Sequence, residues 1–423
     1  MEKTSSIAHN PVRHPCFNAS VKGRFGRVHL PVAPTCTIKC NYCNRKYDCV
    51  NESRPGVTSA VLKPFQTISY LEEVLEKEPR ITVAGIAGPG DPFANPGPTL
   101  ETLRLVRGRF PELILCLATN GLGLPPHVDA LAELGVSHVT VTVNAVDPEV
   151  SQHIYAWVRD GKIVYRGQEA ASLLLERQLD GIRKLKDLGI TVKVNTVVIP
   201  EVNNTHVTTL AQRMAGLGAD LLNLIPVYPT EGTPFAEIRE ISRAEIETLR
   251  SEAERYIPQM RHCTRCRADA VGLLGSDRSG EFAKCLSACS RMAPEAGADR
   301  PYVAVATQEG LLVNLHLGEA AHLEIWGNFP DGARKIGERY APKPGTGRKR
   351  WDELAEILRD CRAVLVSGIG ETPKEIFAAK GILPIVMSGF IEMGVSTIFS
   401  GGDLSVFAVR NKKTCSGGGQ ACS

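Results

Sequence analysis

The stretch Val32 to Pro55, VAPTCTIKCNYCNRKYDCVNESRP, decides how the rest of the chain is read. Cys36, Cys40 and Cys43 stand in C-x3-C-x2-C spacing. Three thiolates within eight residues suit three corners of a cubane iron–sulfur cluster and leave the fourth iron without a protein ligand. A closed structural zinc site wants four ligands and usually pairs two C-x2-C knuckles, so zinc fits this triplet less well. Tyr42, directly before the third cysteine, is an aromatic placed to lie beside a bound adenine.

Outward from this loop, an alternating run, Val28, Leu30 and Val32, predicts a strand that delivers the chain to the cysteines. Further strands are predicted over Ile81 to Ala87, Leu113 to Thr119, His138 to Asn144, Thr191 to Val198 and Leu221 to Val227. Amphipathic helices are predicted between them, at Ile68 to Lys77, His127 to Leu134, Ala170 to Leu188, His206 to Leu217 and Arg243 to Tyr256. Strands alternating with helices imply a parallel sheet, and this many units imply an α/β fold of the (β/α) barrel type, complete or partial. Polar or glycine-rich residues stand where the strands end, at Gly88-Pro89-Gly90-Asp91-Pro92, Thr119-Asn120-Gly121, Asn144 and Asn195. In such a fold these ends converge on one mouth. The Gly-Pro-Gly-Asp-Pro turn allows close backbone approach to a ligand, and Asp91 is placed to meet an ammonium group. Gly88, Gly90, Asp91, Asn120, Thr142, Asn144 and Ile199, with Tyr42, form the candidate cofactor-binding set.

The chain has 423 residues, 43% of them hydrophobic, enough for two or three domains with buried cores. A net charge of +3, from 49 Lys and Arg against 46 Asp and Glu, supplies no field that would draw nucleic acid or an anionic membrane. There is neither a signal segment nor an apolar run long enough to span a bilayer, so a cytoplasmic location is expected. The 13 cysteines cluster at short spacings, as thiolate ligands do, rather than spreading as a disulfide framework. Cys16, Cys49 and Cys116 are all placed to reach the barrel mouth, although for Cys116, inside an apolar run, an inert buried thiol is equally compatible. Cys263 and Cys266 form a C-x2-C pair that favours metal. Cys285 and Cys289 lie in a polar stretch and are read as having no ligand role.

Composition divides the chain into an N-terminal segment with a cluster ligand (1–20), a barrel with a cluster-binding extension (21–289), a linker (290–300), a smaller domain (301–408) and a glycine-rich tail (409–423). In the smaller domain, strands are predicted at Tyr302 to Thr307, Leu311 to Leu317, His322 to Ile325, Ala363 to Ser367 and Ile382 to Met387. Helices are predicted near Trp351 to Cys361, Thr372 to Lys380 and Phe390 to Met393.

The cysteine loop resembles the signature of radical S-adenosylmethionine (SAM) enzymes, in which the open iron chelates SAM. Further blocks narrow the resemblance: HPCFN at 14–18, HLPVAPTC at 29–36, NRKYDCVNESRPGV at 44–57, AGPGDP at 87–92 and CRADAVGLLG at 266–275. Together they resemble the NifB family. PYVAVATQEGLLVNLHLGEA at 301–320 and VSGIGETP at 366–373 resemble the NifX-type, RNase H-like domain fused to it. The resemblance implies a SAM-binding 4Fe-4S cluster and two substrate-side 4Fe-4S units. These would be fused around a SAM-derived carbide, with an added sulfide, into the eight-iron precursor of the nitrogenase cofactor. It further implies Cys16, Cys49 and Cys116 as ligands of one substrate cluster and Cys263 and Cys266 as ligands of another. Glu52 and Arg54 become catalytic candidates, through transient iron binding or proton movement and through anion holding. The implied partners are cofactor scaffold or carrier proteins, an Fe–S donor and a low-potential electron donor. The family commonly has an Ala-His pair where this chain has Val21-Lys22, which leaves His14 or His29 as substitutes for that histidine. A radical SAM enzyme of another kind with auxiliary clusters, or a non-catalytic cluster scaffold, are the competing readings.

Overall fold

The computed structural model describes residues 13–44, 58–292, 300–329, 332–402 and 407. It divides into two compact units, Met1–Ser290 and Arg291–Ser423. The strands of the first unit are β1 (Gly26–His29), β2 (Ile38–Cys40), β3 (Ile81–Ile86), β4 (Ile114–Thr119), β5 (Val136–Thr142), β6 (Tyr155–Asp160), β7 (Ile163–Tyr165), β8 (Thr191–Val198), β9 (Leu221–Pro226), β10 (Val271–Leu273) and β11 (Ser276–Asp277). The main sheet runs β11-β10-β1-β3-β4-β5-β8-β9. The six strands β1, β3, β4, β5, β8 and β9 pair in parallel, and β10 pairs antiparallel with β1. With β9 at the other edge the barrel is open, so the partial form of the expected fold is the one adopted.

Helices Gln66–Lys77, Pro96–Arg109, Val128–Glu133, Gly167–Asp187 and Val207–Gly216 fill the crossovers, and a further helix, Arg243–Ala253, follows β9. The last begins with a capping box between Ser242 and Glu245, whose side chains each accept from the other's backbone N–H. Helix Pro96–Arg109 has no counterpart in the sequence reading. Its PGP opening resembles a turn, yet proline is at home in a first helical turn, where its missing N–H has no intrahelical partner to lose. The hairpin β6–β7 is also additional. It pairs with β2 as a separate three-stranded sheet, with Cys40 opposite Tyr155.

Because laterally aligned residues of neighbouring strands point to one face, the register of the main sheet defines two surfaces. Val28, Ala84, Leu115, Leu117, Val139, Val141, Val192, Val194, Leu222 and Leu224 alternate onto one face and are all buried. On the other face His29, Gly85, Cys116, His138 and Thr191 lie in one lateral row. Two more rows run Thr140, Lys193, Leu221 and Thr142, Asn195, Asn223. Arg27 lies two residues before His29 and shares its face. This second face is polar throughout its middle.

The second unit contains β12 (Tyr302–Val305), β13 (His322–Phe329), β14 (Gly332–Tyr340), β15 (Cys361–Val366) and β16 (Leu383–Val386), in the order β14-β13-β12-β15-β16. Counted within the unit this is 3-2-1-4-5, with β15 and β16 parallel to β12 and the other pairs antiparallel. Its helices are Arg348–Ile357, Glu371–Ala379 and Ile391–Ser400. The strand expected over Leu311 to Leu317 does not form. That segment makes only isolated bridges, Leu312 to Phe390 and His316 to Gly368, after a left-handed turn at Gly310. The strand Gly332–Tyr340 was not foreseen because it is an exposed edge whose sequence, GARKIGERY, carries no apolar alternation.

Candidate functional site

The cysteine loop is fastened by backbone to the turn that follows β3. Gly90 N–H donates to Ala33 O at 2.5 Å and Asp91 N–H to Thr35 O at 2.6 Å. A side chain at position 90 would lie 2.0 Å from Thr35 O. Gly90 is therefore required by its contact with the cysteine loop itself. Asp91 departs from expectation in the same way. Its buried carboxylate accepts from Asn120 N–H (2.5 Å), Phe93 N–H (2.9 Å) and the Thr119 hydroxyl (2.9 Å). Burial pushes its carboxyl up, and these donors hold it down. Already satisfied, Asp91 binds the turn to the end of β4 and does not stand open to an ammonium group.

Tyr42 is 0% exposed and belongs to an apolar cluster with Ile38, Cys40, Leu122, Tyr155 and Ile199. The Asn144 amide donates to its hydroxyl at 2.9 Å and to the Tyr155 hydroxyl at 3.1 Å. Asn144 Oδ1 accepts from Val197 N–H, while the Asn203 amide donates to the Asn144 backbone carbonyl and Asn203 Oδ1 accepts from Ile199 N–H. The expectation that Tyr42 lies beside an adenine gives way to a supporting role, since its ring has no open surface; the same holds for Ile199 and for Asn144, 1% exposed. Asn120 stays at the mouth, with its amide 3.8 Å from Cys36 Sγ. Gln178, which the sequence reading passed over, reaches from helix Gly167–Asp187 to donate to both Asn120 O (2.9 Å) and Thr142 O (2.8 Å), tying two strand ends together.

Cys36, Cys40 and Cys43 lie close together. The buried Cys40 thiol is pushed well up, first by burial and then by the negative charge of Cys43 and Cys36. Such a set needs a cation to ionise. Among the described residues no three His, Cys, Asp or Glu side chains close on a point tightly enough for a single ion. A cubane takes one thiolate at each of several separate irons, and an all-thiolate donor set is the one it uses; the residues present fit it.

A second thiol set lies deeper, on the polar face. His14, Cys16, Arg27, His29, Cys116 and Thr140 line one small enclosed cavity. Gly85 makes room there, because a side chain at that position would come within 2.9 Å of Cys116 Sγ and 3.3 Å of His29 Cδ2. His14 packs edge-on to Phe17 (4.7 Å) and against His138 (4.6 Å), and its Nε2 is buried without a hydrogen-bond partner. Burial, then the charges of His138, Lys193 and His29, hold His14 well below the usual imidazole range. His138 is likewise lowered to about 4 by burial and Lys193. Neutral imidazoles result, the form that can serve as ligands. Val21 is buried and Lys22 exposed on the turn that precedes β1. Of the two substitutes named for the family's histidine, both His14 and His29 share the cavity with Cys16 and Cys116.

Cys263 and Cys266 close the same face from the other side. Arg27 Nη2 donates to Cys266 Sγ at 3.1 Å while Nη1 donates to Gly272 O at 2.7 Å. Burial opposes the Arg27 charge, and the thiolates of Cys266 and Cys16 together with Asp277 more than restore it. Burial raises the Cys263 thiol, against the pull of the Lys193 ammonium and a hydrogen bond from Asn223. Cys49, Glu52 and Arg54 lie outside the described residues. Cys285 and Cys289 share the helix Ser279–Cys289, away from this face; burial, then Cys285, pushes the Cys289 thiol up to about 12.

Residues 30–214 match the Radical SAM superfamily, and residues 300–401 match the family described as dinitrogenase iron-molybdenum cofactor. The protein named FeMo cofactor biosynthesis protein NifB of Chlorobaculum tepidum is 49% identical over 420 residues, covering 98% of this chain and 99% of that protein. The chain belongs to the NifB family. Its relative of the same name in Klebsiella pneumoniae is 40% identical, covering 90% of this chain and 89% of that one. The one in Azotobacter vinelandii is 37% identical, covering 88% and 84%. As a NifB-family radical SAM enzyme, the chain carries a half-barrel followed by a NifX-like unit, and its superfamily membership implies a 4Fe-4S cluster and SAM. No helix among the described residues is long and apolar enough to cross a membrane.

Proposed function

We propose that this NifB-family chain joins two 4Fe-4S units, a carbide from the SAM methyl group and an added sulfide into the eight-iron core precursor of the nitrogenase iron-molybdenum cofactor. The observation that carries the reading is the presence of two thiol sets at two depths of one half-barrel. Cys36, Cys40 and Cys43 lie at the strand ends, while Cys16, Cys116, Cys263 and Cys266 lie on the polar face behind them. A one-set enzyme has no use for the second.

In this reading Cys36, Cys40 and Cys43 hold the SAM-binding cluster, which when bound and reduced supplies homolytic cleavage of SAM to a 5′-deoxyadenosyl radical. Gly88, Gly90, Asn120 and Thr142 border the SAM site. Asp91, Tyr42, Asn144 and Ile199 hold that border in place from beneath. The deeper thiols, with Cys49 and a histidine from the pair His14 and His29, bind the two substrate units. Glu52 moves a proton or touches iron transiently, and Arg54 holds an anionic group. The second unit binds the product or docks a carrier. The working partners are cofactor scaffold or carrier proteins, an Fe–S donor and a low-potential electron donor, in the cytoplasm. The domain limits 1–20, 21–289, 290–300, 301–408 and 409–423 stand as part of this proposal.

The test compares two variants of reconstituted protein under anaerobic conditions with SAM and dithionite. Cys36→Ala/Cys40→Ala/Cys43→Ala should lose one cluster's iron and all 5′-deoxyadenosine. Cys263→Ala/Cys266→Ala should keep that cluster and lose S-adenosylhomocysteine formation. SAM cleavage surviving the triple change, or an unchanged yield of S-adenosylhomocysteine in the double, would sink the reading.

A further inference from the structure

Two cations are buried on the polar face. Arg27 is 2% exposed and Lys193 is 0% exposed, and they come from β1 and β8, strands that are not neighbours in the sheet. Enclosing a charge is expensive unless an opposite charge and hydrogen bonds meet it. Arg27 directs one arm to two backbone carbonyls and the other to Cys266 Sγ, with Asp277 only at 3.8 Å. The Thr264 hydroxyl adds a contact to the same sulfur at 3.7 Å. Lys193 Nζ lies 3.8 Å from Met260 Sδ and 5.1 Å from the centre of the Phe17 ring, within the electrostatic reach of Cys263. Behind it Asn223 bonds Asn195 Oδ1 at 3.0 Å. Asn195 Nδ2, itself fully buried, has no hydrogen-bond partner. The Cys266 sulfur thus meets a buried cation and a neutral donor, and a second buried cation and an unused N–H stand on the same face of the sheet.

Resting on the reading that Cys263 and Cys266 hold a substrate cluster, we propose that Arg27 and Lys193 are the residues that make this site selective for an anionic iron–sulfur unit. Arg27 donates to the Cys266 sulfur. Lys193, buried on the same face, adds a second positive charge toward the Cys263 sulfur. Hydrogen bonds and positive charge at cluster thiolates stabilise the more negative, reduced form and raise the reduction potential. The same two cations stabilise binding of an anion over a neutral or cationic ligand. They are positioning residues, acting through the two thiolates.

The closing experiment uses reconstituted full-length protein and three variants, read by iron content, EPR-monitored redox titration and melting temperature before and after iron loading. Cys263→Ala/Cys266→Ala identifies which signal belongs to the pair. Lys193→Met, which removes the charge at similar volume, is expected to lower occupancy of the Cys263/Cys266 cluster and to move that signal alone to a more negative potential. Lys193→Arg is expected to restore the potential. Arg27→Met should act in the same direction, and since it also frees two backbone carbonyls, Lys193→Met decides if Arg27→Met does not fold. An unchanged potential and occupancy in Lys193→Met overturns the inference. Should Cys263→Ala/Cys266→Ala lose no iron, the reading beneath it falls instead, which keeps the two failures apart.

Discussion

The two sheets of this protein solve the same problem differently. In the second unit both faces are apolar: Ala304, Val364 and Val366 enter one cluster, while Val303, Val305, Ala363 and Leu365 enter another. In the first unit one face is as apolar as these, and the other carries Arg27, His29, Cys116, His138, Lys193, Asn195 and Asn223. In the proposed reading, a sheet that buries charge and amide where valine would be cheaper does so for a bound group. The contrast teaches where to look for substrate: on the face that the fold alone does not complete.

Three changes test that contrast, beginning with the largest effect. Leu365→Asn places an unmatched amide in the closed apolar face of the second unit and should cost about 3–5 kcal/mol there. Its unfolding transition, followed by calorimetry, should move down by many degrees; a small shift would mean that this face is not a closed core. The double change Asn195→Leu/Asn223→Leu, on the polar face of the first unit, should have the opposite sign. Removing both partners of a buried polar pair, one of them with an unsatisfied N–H, should leave the iron-free protein unchanged or more stable by about 1–2 kcal/mol. S-adenosylhomocysteine formation should be lost. If melting temperature falls as it does for Leu365→Asn, the polar face is an ordinary structural core and the contrast is broken.

The smallest effect concerns a buried charge that the chain satisfies by itself. Glu78, 2% exposed, bonds Arg80 through both oxygens (2.6 and 2.7 Å) and Arg278 at 2.9 Å. These partners, Arg80 first, pull its carboxyl down to about 2. A depressed folded value means that the contribution is whole above the ordinary carboxylate range, near pH 4.3, and fades as pH falls toward 2. Glu78→Gln should therefore melt a few degrees lower than wild type at pH 7, with the gap closing between about pH 4.5 and 2 and independent of iron. A gap that stays constant over that range would show that the pairing carries no charge-dependent stability.

Much of this architecture is readable from local pattern. Strand Thr191–Val198 appears with the limits that its apolar run predicts, and the C-x3-C-x2-C and C-x2-C spacings name their thiols directly. The polar face was legible too, in principle: in TVKVNTVV the polar Lys193 and Asn195 alternate with valines at a period of two, yet the run reads as an apolar strand when only its valines are weighed. Asp91 was misread because its partners, Thr119 and Asn120, stand 28 and 29 residues away, and no spacing rule reports that the carboxylate is already occupied. Gln178 was missed for a similar reason. A glutamine on an amphipathic helix looks like a solvent-facing residue until the strand ends it joins are in place.

The pairing of β2 with β6 also fixes an order of events during synthesis. Cys40 leaves the ribosome long before Tyr155, the residue opposite it, and Arg27 long before the Cys266 it bonds. Chains emerge at about 5–20 residues per second, so Cys36, Cys40 and Cys43 wait several seconds for the hairpin that pairs with β2 and longer for the strand that closes β1. Iron arriving in that interval would meet a loop with no register. The topology thus makes loading of the cluster a late step, one that follows the emergence of the hairpin β6–β7.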